Sequence, residues 1–471
     1  MILWYADVVG DFGTMSGAGR NGFDLGVRQT SRLPSLASLA LIALVATSAS
    51  AQINPYAQSG SVAGDNDDDS LRAPTAVPGL SGYSRGLSLG ASISTRYEDN
   101  LLRQPVKDDG LRVRPLVSGR YGLGLGRGGL FVQANYGRDM IYGSNRVAPS
   151  ERLMAGAGLD FNLSRCTGQV GGSWRRGLSF LTEATQFGGF SQETATAGFA
   201  AQCRLGGAFS LNGSVLRSDV SVVRNASGGL TSTAFDIQRW SYSAGVGFGN
   251  AALGQFNLGG SISESTMPGR LLLTPDGLEE DGLNQRSLRL GYSRRFGSKI
   301  NLSAGISYLD TQPSTAVNVI FIDGVPQLVD RPGFKGAGYD AAIDVTFSPR
   351  LGLALTAGRN TSANGIVGAQ FVVATSWAAQ IDYRLGSRYN FAAGVNLRNS
   401  QFRGAFVSPL DPIRRQSDDF MRIFAQFGGR LGQRLRLSVD VAHNRRRSNP
   451  AILNFNSTGV GLSLGYQLGR G

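Results

Sequence analysis

The chain of 471 residues contains a single histidine, His443, and only two cysteines, Cys166 and Cys203. It has no His/Cys/Glu spacing typical of a metal site. Charged residues make up 17% of the chain, and after residue 51 no apolar run is long enough for a transmembrane helix. These shortages exclude a helical membrane protein after residue 51, and we expect neither a metal nor a cofactor.

Glycine is abundant, with 66 residues, and the net charge is +13. The basic side chains are scattered singly among alternating apolar residues and form no cluster with stacked aromatics, so nucleic acid is not expected as a partner. Gly-rich alternating sequence without long apolar runs is typical of a transmembrane β-barrel.

The N-terminal region has the features of an export signal. Arg28 and Arg32 precede an apolar segment from Leu33 to Ala46, and Ala49-Ser50-Ala51 forms a cleavage site. Residues 1–51 are therefore predicted to be a signal peptide for the general secretory route, although Met15 or a start further in is an alternative beginning. Residues 52–86, rich in Ser, Gly, Asp and Pro, are predicted to be a disordered periplasmic linker.

The stretch Arg286–Asp310 shows the unit from which the remaining chain is built. Leu288, Leu290 and Tyr292 alternate with polar residues, and the same alternation resumes after a short turn at residues 297–299. This period predicts a β-hairpin with one apolar and one polar face. The unit recurs from Leu87 to Leu468 and gives about eighteen strands, with short and long connections alternating.

Residues 87–471 are thus predicted to form an all-β, antiparallel transmembrane barrel in the outer membrane. Its short turns and both termini would face the periplasm, and its longer loops would be extracellular. No repeat typical of the alternative, a soluble β-propeller, is present. Because a sheet in lipid must have no edge, the last strand should pair with the first. The expected partners are outer-membrane lipid, lipopolysaccharide and the barrel-assembly machinery, whose recognition signal Tyr466 and Leu468 resemble.

A four-residue motif, Tyr97-Glu98-Asp99-Asn100, ends the first predicted strand. After a signal peptide and a Ser/Asp/Pro-rich linker, it resembles the aromatic-acidic-acidic-Asn motif of the β-barrel porin type 2 family. The resemblance covers Leu87 to Leu468. It implies a Gram-negative outer-membrane protein that is often associated with exopolysaccharide or capsule production.

Arginine is frequent in the polar phase of the strands, which should face the lumen. The first 51 residues are neutral and the linker carries −2, so the total of +13 leaves about +15 for the barrel. Either these arginines pair with acids to fill the interior, or they form a basic channel wall that attracts anions. The pore-lining candidates are Arg112, Arg114, Arg120, Arg239, Arg289, Arg422 and Arg436.

Three further features have predicted roles. Cys166 and Cys203 should lie level on neighbouring strands at the periplasmic side and form a disulfide. His443 should face lipid, and no nearby Ser completes a hydrolase triad. The apolar segment Thr311–Phe334, with Asp323-Gly324 as a hairpin turn, should extend the wall, fold over the mouth or bind a partner.

These observations favour a channel for polar, anionic solutes or saccharides, accessory to exopolysaccharide export if the family resemblance holds. The alternative is a closed structural or receptor barrel that acts through its loops. A hydrolase is the third hypothesis, and it is disfavoured because acyl chemistry requires a nucleophile beside a base.

Overall fold

A computed structural model describes residue 80 and residues 85 to 468, apart from 102, 104–105, 145–148, 180–189, 224–235, 251, 323–324, 364–368 and 406–415. The predicted signal peptide lies outside the described residues, as does most of the predicted linker. Within the described ranges, no helix is long and apolar enough to cross a membrane.

Eighteen strands of the described chain form one antiparallel sheet, in which each strand pairs with the strands of this sheet that come before and after it in the chain. The first nine are β1 (Gly86–Glu98), β2 (Gly110–Gly124), β3 (Gly128–Tyr142), β4 (Ser150–Leu163), β5 (Cys166–Ser179), β6 (Phe190–Gly206), β7 (Phe209–Val223), β8 (Ile237–Asn250) and β9 (Gly254–Thr274). The other nine are β10 (Gly277–Phe296), β11 (Ile300–Pro313), β14 (Phe334–Ser348), β15 (Leu351–Ala363), β16 (Ala369–Leu385), β17 (Tyr389–Ala405), β18 (Ser417–Arg430), β19 (Leu435–Asn449) and β20 (Phe455–Leu468). Two further strands, β12 (Val317–Ile322) and β13 (Val325–Asp330), lie between β11 and β14 and belong to a separate sheet.

The sheet closes on itself through β1 and β20, which pair in antiparallel register from Leu89 opposite Leu468 to Glu98 opposite Gly459. The predicted closed barrel is therefore confirmed. Closure leaves no unpaired strand edge, which is the condition for a sheet to stand in lipid, where an unsatisfied backbone group costs several kcal/mol.

The outer face of the barrel is apolar. Leu288, Leu290 and Ile306 are between 49% and 66% exposed, whereas Arg289 between the two leucines is 7% exposed. Aromatic side chains mark both ends of this face. Those near the short turns include Phe209, Phe248, Phe256, Tyr292, Tyr389, Phe427 and Tyr466, and those near the long loops include Tyr97, Trp240, Tyr308 and Trp377. An apolar belt between two aromatic girdles is the surface of an outer-membrane barrel.

The wall is higher at β9 and β10 than elsewhere. These strands reach 21 and 20 residues and meet at a turn beside Asp276. The alternation pattern predicted only their lower halves as strand, because the pairing shifts register between Glu280 and Asp281, with residues 268–270 forming a bulge opposite that step. A bulge interrupts the period of two on which the prediction depends.

The apolar segment between β11 and β14 forms a hairpin of its own, with β12 (Val317–Ile322) paired to β13 (Val325–Asp330). Among the described residues these strands pair only with each other and form a separate two-stranded sheet. The hairpin is therefore not hydrogen-bonded into the barrel sheet, although β12 lies against β9. The predicted turn at Asp323-Gly324 lies outside the described residues.

Candidate functional site

Several charged side chains meet on one side of the lumen, in its outer half. They project inward from β1 to β4, β18 and β19, and Arg103 joins them from the loop after β1. Within the described part of the chain, six arginines stand here with three carboxylates. We call this cluster the arginine wall; it consists of Arg96, Arg103, Arg112, Arg114, Arg152, Arg422, Glu98, Asp139 and Asp440.

Ion pairs fix part of the arginine wall. Arg114 Nε lies 2.6 Å from Asp139 Oδ1, and Arg152 Nε lies 4.0 Å from the other oxygen of the same carboxylate. Arg96 donates to Glu98 at 2.6 Å and also bonds to Asp440. The Asp139 side chain has no exposed surface, so its negative charge is compensated by the neighbouring arginines and not by water.

Other arginines of the wall repel each other. Arg112 is within electrostatic range of Arg103 and Arg114, and Arg422 is within range of Arg96 and Arg103. Guanidinium groups stay charged at all accessible pH values, so three carboxylates leave this cluster with a net charge of about +3. The wall therefore presents an excess of positive charge to the lumen.

The glycines of β20 make room for these side chains. A Cβ added to Gly459 would lie 2.7 Å from Glu98 Cγ and 3.2 Å from Arg96 Nε, and one added to Gly461 would collide with the Asp440 carboxylate. The long side chains thus lie flat against the backbone of the last strand. Any larger residue at these two positions would push the ion pairs into the lumen.

The motif Tyr97-Glu98-Asp99-Asn100 lies at the seam where β1 meets β20. Glu98 is part of the arginine wall. The Thr458 N–H donates to Asp99 Oδ1 at 2.6 Å, and Asn100 Nδ2 donates to the Asn456 carbonyl at 3.1 Å. The motif therefore continues the pairing of the first and last strands above the end of β1.

The remaining predicted pore-lining arginines are on lumen-facing positions but outside the cluster. Arg289 binds Asp340 through two contacts of 2.7 Å, and Arg239 Nε donates to the Ser265 hydroxyl at 3.1 Å. Arg120 lies 5.5 Å from the centre of the Phe131 ring. Arg436 is opposite Arg430 near the short-turn end. The seven candidates are thus distributed over the lumen, and only Arg112, Arg114 and Arg422 meet in the arginine wall.

The lumen surface from β5 to β10 is formed mainly by hydroxyl groups and glycines. Serine and threonine side chains bond across neighbouring strands at 2.7 to 3.0 Å. We call this surface the hydroxyl wall, defined by the pairs Ser173–Thr196, Ser214–Ser243, Ser241–Ser263 and Ser261–Ser287. It offers neutral donors and acceptors on the side away from the arginine wall.

A second group of charges is enclosed at the outer mouth. Asp281 accepts from Arg331 at 2.7 Å, forms an ion pair with Arg270 at 2.8 Å, and is approached by Gln370 at 3.3 Å. None of the three charged side chains is more than 5% exposed. We call these four residues the mouth cluster. Since Arg331 directly follows β13, it ties the β12–β13 hairpin to β10.

The start of β16 is covered by protein on both faces. Gln370 donates to the Gly282 carbonyl at 2.8 Å, Phe371 and Val373 pack on Leu283, and Val372 packs on Phe402. In the order of the sheet, β11, β14 and β15 separate β10 from β16. The contact therefore crosses the mouth instead of following the wall, and it narrows the outer opening.

His443 faces outward, as its position in the alternation predicts, and Nδ1 lies 2.9 Å from the Thr458 hydroxyl. The sequence analysis missed this hydroxyl because it is on the next strand. Asp99 accepts from the backbone N–H of Thr458 at 2.6 Å and is within electrostatic range of His443. Across the residues that the structure describes, no group of three or more His, Cys, Asp or Glu could hold a metal ion.

The two cysteines are directly opposite each other on β5 and β6. Their sulfurs are joined in the structure, and the pair spans 37 residues of sequence. This link lies at the short-turn end, far from the arginine wall along the strands.

Sequence reasoning did not find Arg103, Asp139, Arg152 or the mouth cluster as site residues. Arg103 is in a loop, where the alternation of apolar and polar residues cannot predict which way a side chain points. Arg152 and Asp139 are at the outer ends of their strands, beyond the apolar residues that defined the phase. Arg152 is one residue before Leu153 and Asp139 is three residues after Tyr136, so extending the alternation by three residues at the outer end of each strand would have found both.

No family model matches the chain, and no curated protein matches it in sequence. The solved structures similar to it include Pseudomonas aeruginosa OccK2 (OpdF) in complex with glucuronate, at 13% identity and a TM-score of 0.45, with 81% of this chain and 96% of that chain covered. A BenF-like porin from Pseudomonas fluorescens Pf-5 has 12% identity and a TM-score of 0.45, with coverages of 82% and 100%. Similarity at this level assigns the chain neither a family nor a ligand.

Proposed function

We propose that the protein is an anion-selective outer-membrane channel for small polar solutes, including acidic saccharides. The observation that supports this best is the arginine wall, where six guanidinium groups face the lumen with three carboxylates. Charges of one sign along a narrow water-filled path between low-dielectric walls concentrate counter-ions. The hydroxyl wall on the other side offers the neutral hydrogen-bonding groups that a sugar or polyol requires.

Single-channel recording of the refolded barrel in a salt gradient tests this proposal. In a gradient of potassium chloride, the sign of the reversal potential should show that chloride is more permeant than potassium. A sign that reports potassium permeation would contradict the proposal, because it would mean that the lumenal carboxylates dominate the path. A decrease in chloride current when uronates or other acidic sugars are added then tests the solute class.

A closed barrel acting through its extracellular loops is the second candidate. It is favoured by the start of β16, which crosses the mouth and is buried on both faces. This alternative predicts no conductance from the refolded barrel, even when its heat-dependent gel mobility shows that it is correctly folded.

An accessory role in exopolysaccharide export is supported only by the motif at Tyr97–Asn100 and stays a hypothesis, as does membership of the type 2 porin family. A deletion strain with unchanged surface polysaccharide would exclude the export role. Contacts with lipopolysaccharide and with the barrel-assembly machinery are likewise proposals, based on the apolar belt and on Tyr466 and Leu468.

A further inference from the structure

One residue of the segment before β1 is buried among lumen-facing residues. Leu80 is 8% exposed and forms an apolar cluster with Phe131, against which Leu216 also packs. Phe131 and Leu216 are on lumen-facing positions, since their neighbours Val132 and Val215 are 46% and 38% exposed on the outer face. Leu80 is therefore inside the barrel.

The rest of this pocket is formed by bare backbone. A Cβ added to Gly156, Gly158 or Gly171 would lie 2.8, 3.1 or 2.6 Å from a methyl group of Leu80. These three glycines face the lumen on β4 and β5. We call the five residues Phe131, Gly156, Gly158, Gly171 and Leu216 the Leu80 pocket. It is an apolar patch beside the polar side chains of the hydroxyl wall.

The pocket is well above the short-turn end. Gly158 is five residues from the end of β4 at Leu163, and Gly171 is five residues from the start of β5 at Cys166. At about 3.3 Å per residue, this is roughly 16 Å along the strands. Leu80 precedes Gly86, where β1 begins, by only six residues, a span of about 20 Å when extended. The distance is within reach of the chain.

We infer that Leu80 is a constriction of the lumen: its side chain is bound in the Leu80 pocket and narrows the path at this height. The physical reason is that an isolated leucine in a water-filled lumen gains by burial, and this wall provides a glycine-lined recess of matching size. The constriction lies near Arg120, because Leu80 packs on Phe131 and the Arg120 guanidinium lies over the same ring. The inference does not depend on the proposed anion selectivity.

Cross-linking tests the position of Leu80 without any measurement of transport. The variant Leu80→Cys with Gly156→Cys should form a disulfide in the folded full-length barrel, detected by mass spectrometry of peptides from unreduced protein. The control pairs Leu80→Cys with Gly259→Cys, another lumen-facing glycine, on β9 in the hydroxyl wall. A link that is absent, or equally abundant in the control, would overturn the inference.

Conductance tests whether Leu80, bound in its pocket, obstructs the path. Leu80→Ser should weaken its binding roughly 10- to 100-fold, because the burial of one leucine is lost, and should raise the conductance. Gly156→Ala should act in the same way, since the new methyl group meets Leu80, and the double variant should add nothing. Leu71→Ser, a matched change nine residues earlier, should have no effect. Equal conductance in Leu80→Ser and the native barrel, or an equal rise in Leu71→Ser, would exclude the obstruction.

Discussion

The arginine wall and the mouth cluster have the same ratio of charges in different surroundings. Six arginines accompany three carboxylates in the first, and two accompany one in the second. The side chains of Arg96, Arg114 and Asp440 are 17%, 24% and 29% exposed to the lumen, whereas Arg270, Arg331 and Asp281 are at most 5% exposed. Glu98 and Asp139 are as buried as the mouth cluster, so the main difference between the two regions is that Arg96, Arg114 and Asp440 have access to water.

That difference determines what each excess positive charge can do. In the mouth cluster the charges are enclosed, so their field acts on each other and on Gln370, and they hold a hairpin in place. In the arginine wall, the same excess faces a path that an ion can follow. Charge composition alone therefore does not identify a selectivity site, and exposure to the lumen must be established as well.

The largest effect is expected for Asp281→Ala. It leaves Arg270 and Arg331 buried without their shared carboxylate, and breaking a buried pair costs about 3–5 kcal/mol. Unfolding in urea, followed by tryptophan fluorescence and gel mobility, measures the loss. The matched control is Asp440→Asn in the arginine wall, where Arg96 keeps Glu98 and faces water, so about 1 kcal/mol or less is expected. Equal losses in both variants would remove the distinction between the two regions.

Loss of the Cys166–Cys203 link should have the next largest effect on stability and none on selectivity. The pair closes 37 residues of chain, and removing such a crosslink costs about 2–4 kcal/mol. Cys166→Ser with Cys203→Ser should therefore unfold at lower urea, while the reversal potential stays unchanged because no charge is altered. Two free thiols in native protein prepared without reductant would refute the disulfide.

The barrel itself could be predicted because its signal is local. Each strand carries its own alternation, and the structure has all eighteen strands in the predicted places. Antiparallel closure then follows from the cost of an open edge in lipid. Where the period is broken, as at the bulge opposite Asp281, the prediction failed.

The site was predicted less well because it depends on distances across strands. Alternation places Arg112 and Arg114 on the lumen side, but not beside Arg152, which comes from another hairpin. The contact between Gln370 and Asp281 joins residues 89 apart. Nothing in a single sequence specifies that β16 crosses the mouth, because that depends on how the upper wall bends.

Selectivity should change less in energy than stability does, and only when the arginine wall is altered. At about 8 Å in water, one positive charge lowers the energy of a passing chloride by about 0.5 kcal/mol and raises that of potassium by the same amount. Arg112→Gln with Arg422→Gln removes two charges and shifts the difference between the two ions by about 2 kcal/mol, so the chloride-to-potassium ratio should fall roughly 30-fold. Ser214→Ala with Ser243→Ala in the hydroxyl wall is the neutral control and should leave the ratio unchanged. Arg114→Gln is less informative, since it also removes the arginine that lies 2.6 Å from the buried Asp139 carboxylate.

The control and the arginine variants can also contradict the assignment. If the serine variants alter the ratio as much as the arginine variants do, then the path is not governed by the arginine wall. Reversal potentials in the same salt gradient decide between these outcomes, provided that each variant retains the gel mobility of the folded barrel.

The smallest effect is expected at the outer edge of the arginine wall, where Asp99 holds the seam. Partial burial raises the pKa of this carboxyl, but hydrogen bonds from the Thr458 N–H and Lys107 outweigh burial, and the net pKa is lowered. A lowered folded pKa contributes stability above the pKa of the unfolded chain, near 4, that is lost as the pH falls through the folded value. Native protein should thus lose slightly more stability below about pH 4 than Asp99→Asn. Identical acid titrations for Asp99→Asn and native protein would show that the seam does not depend on this charge.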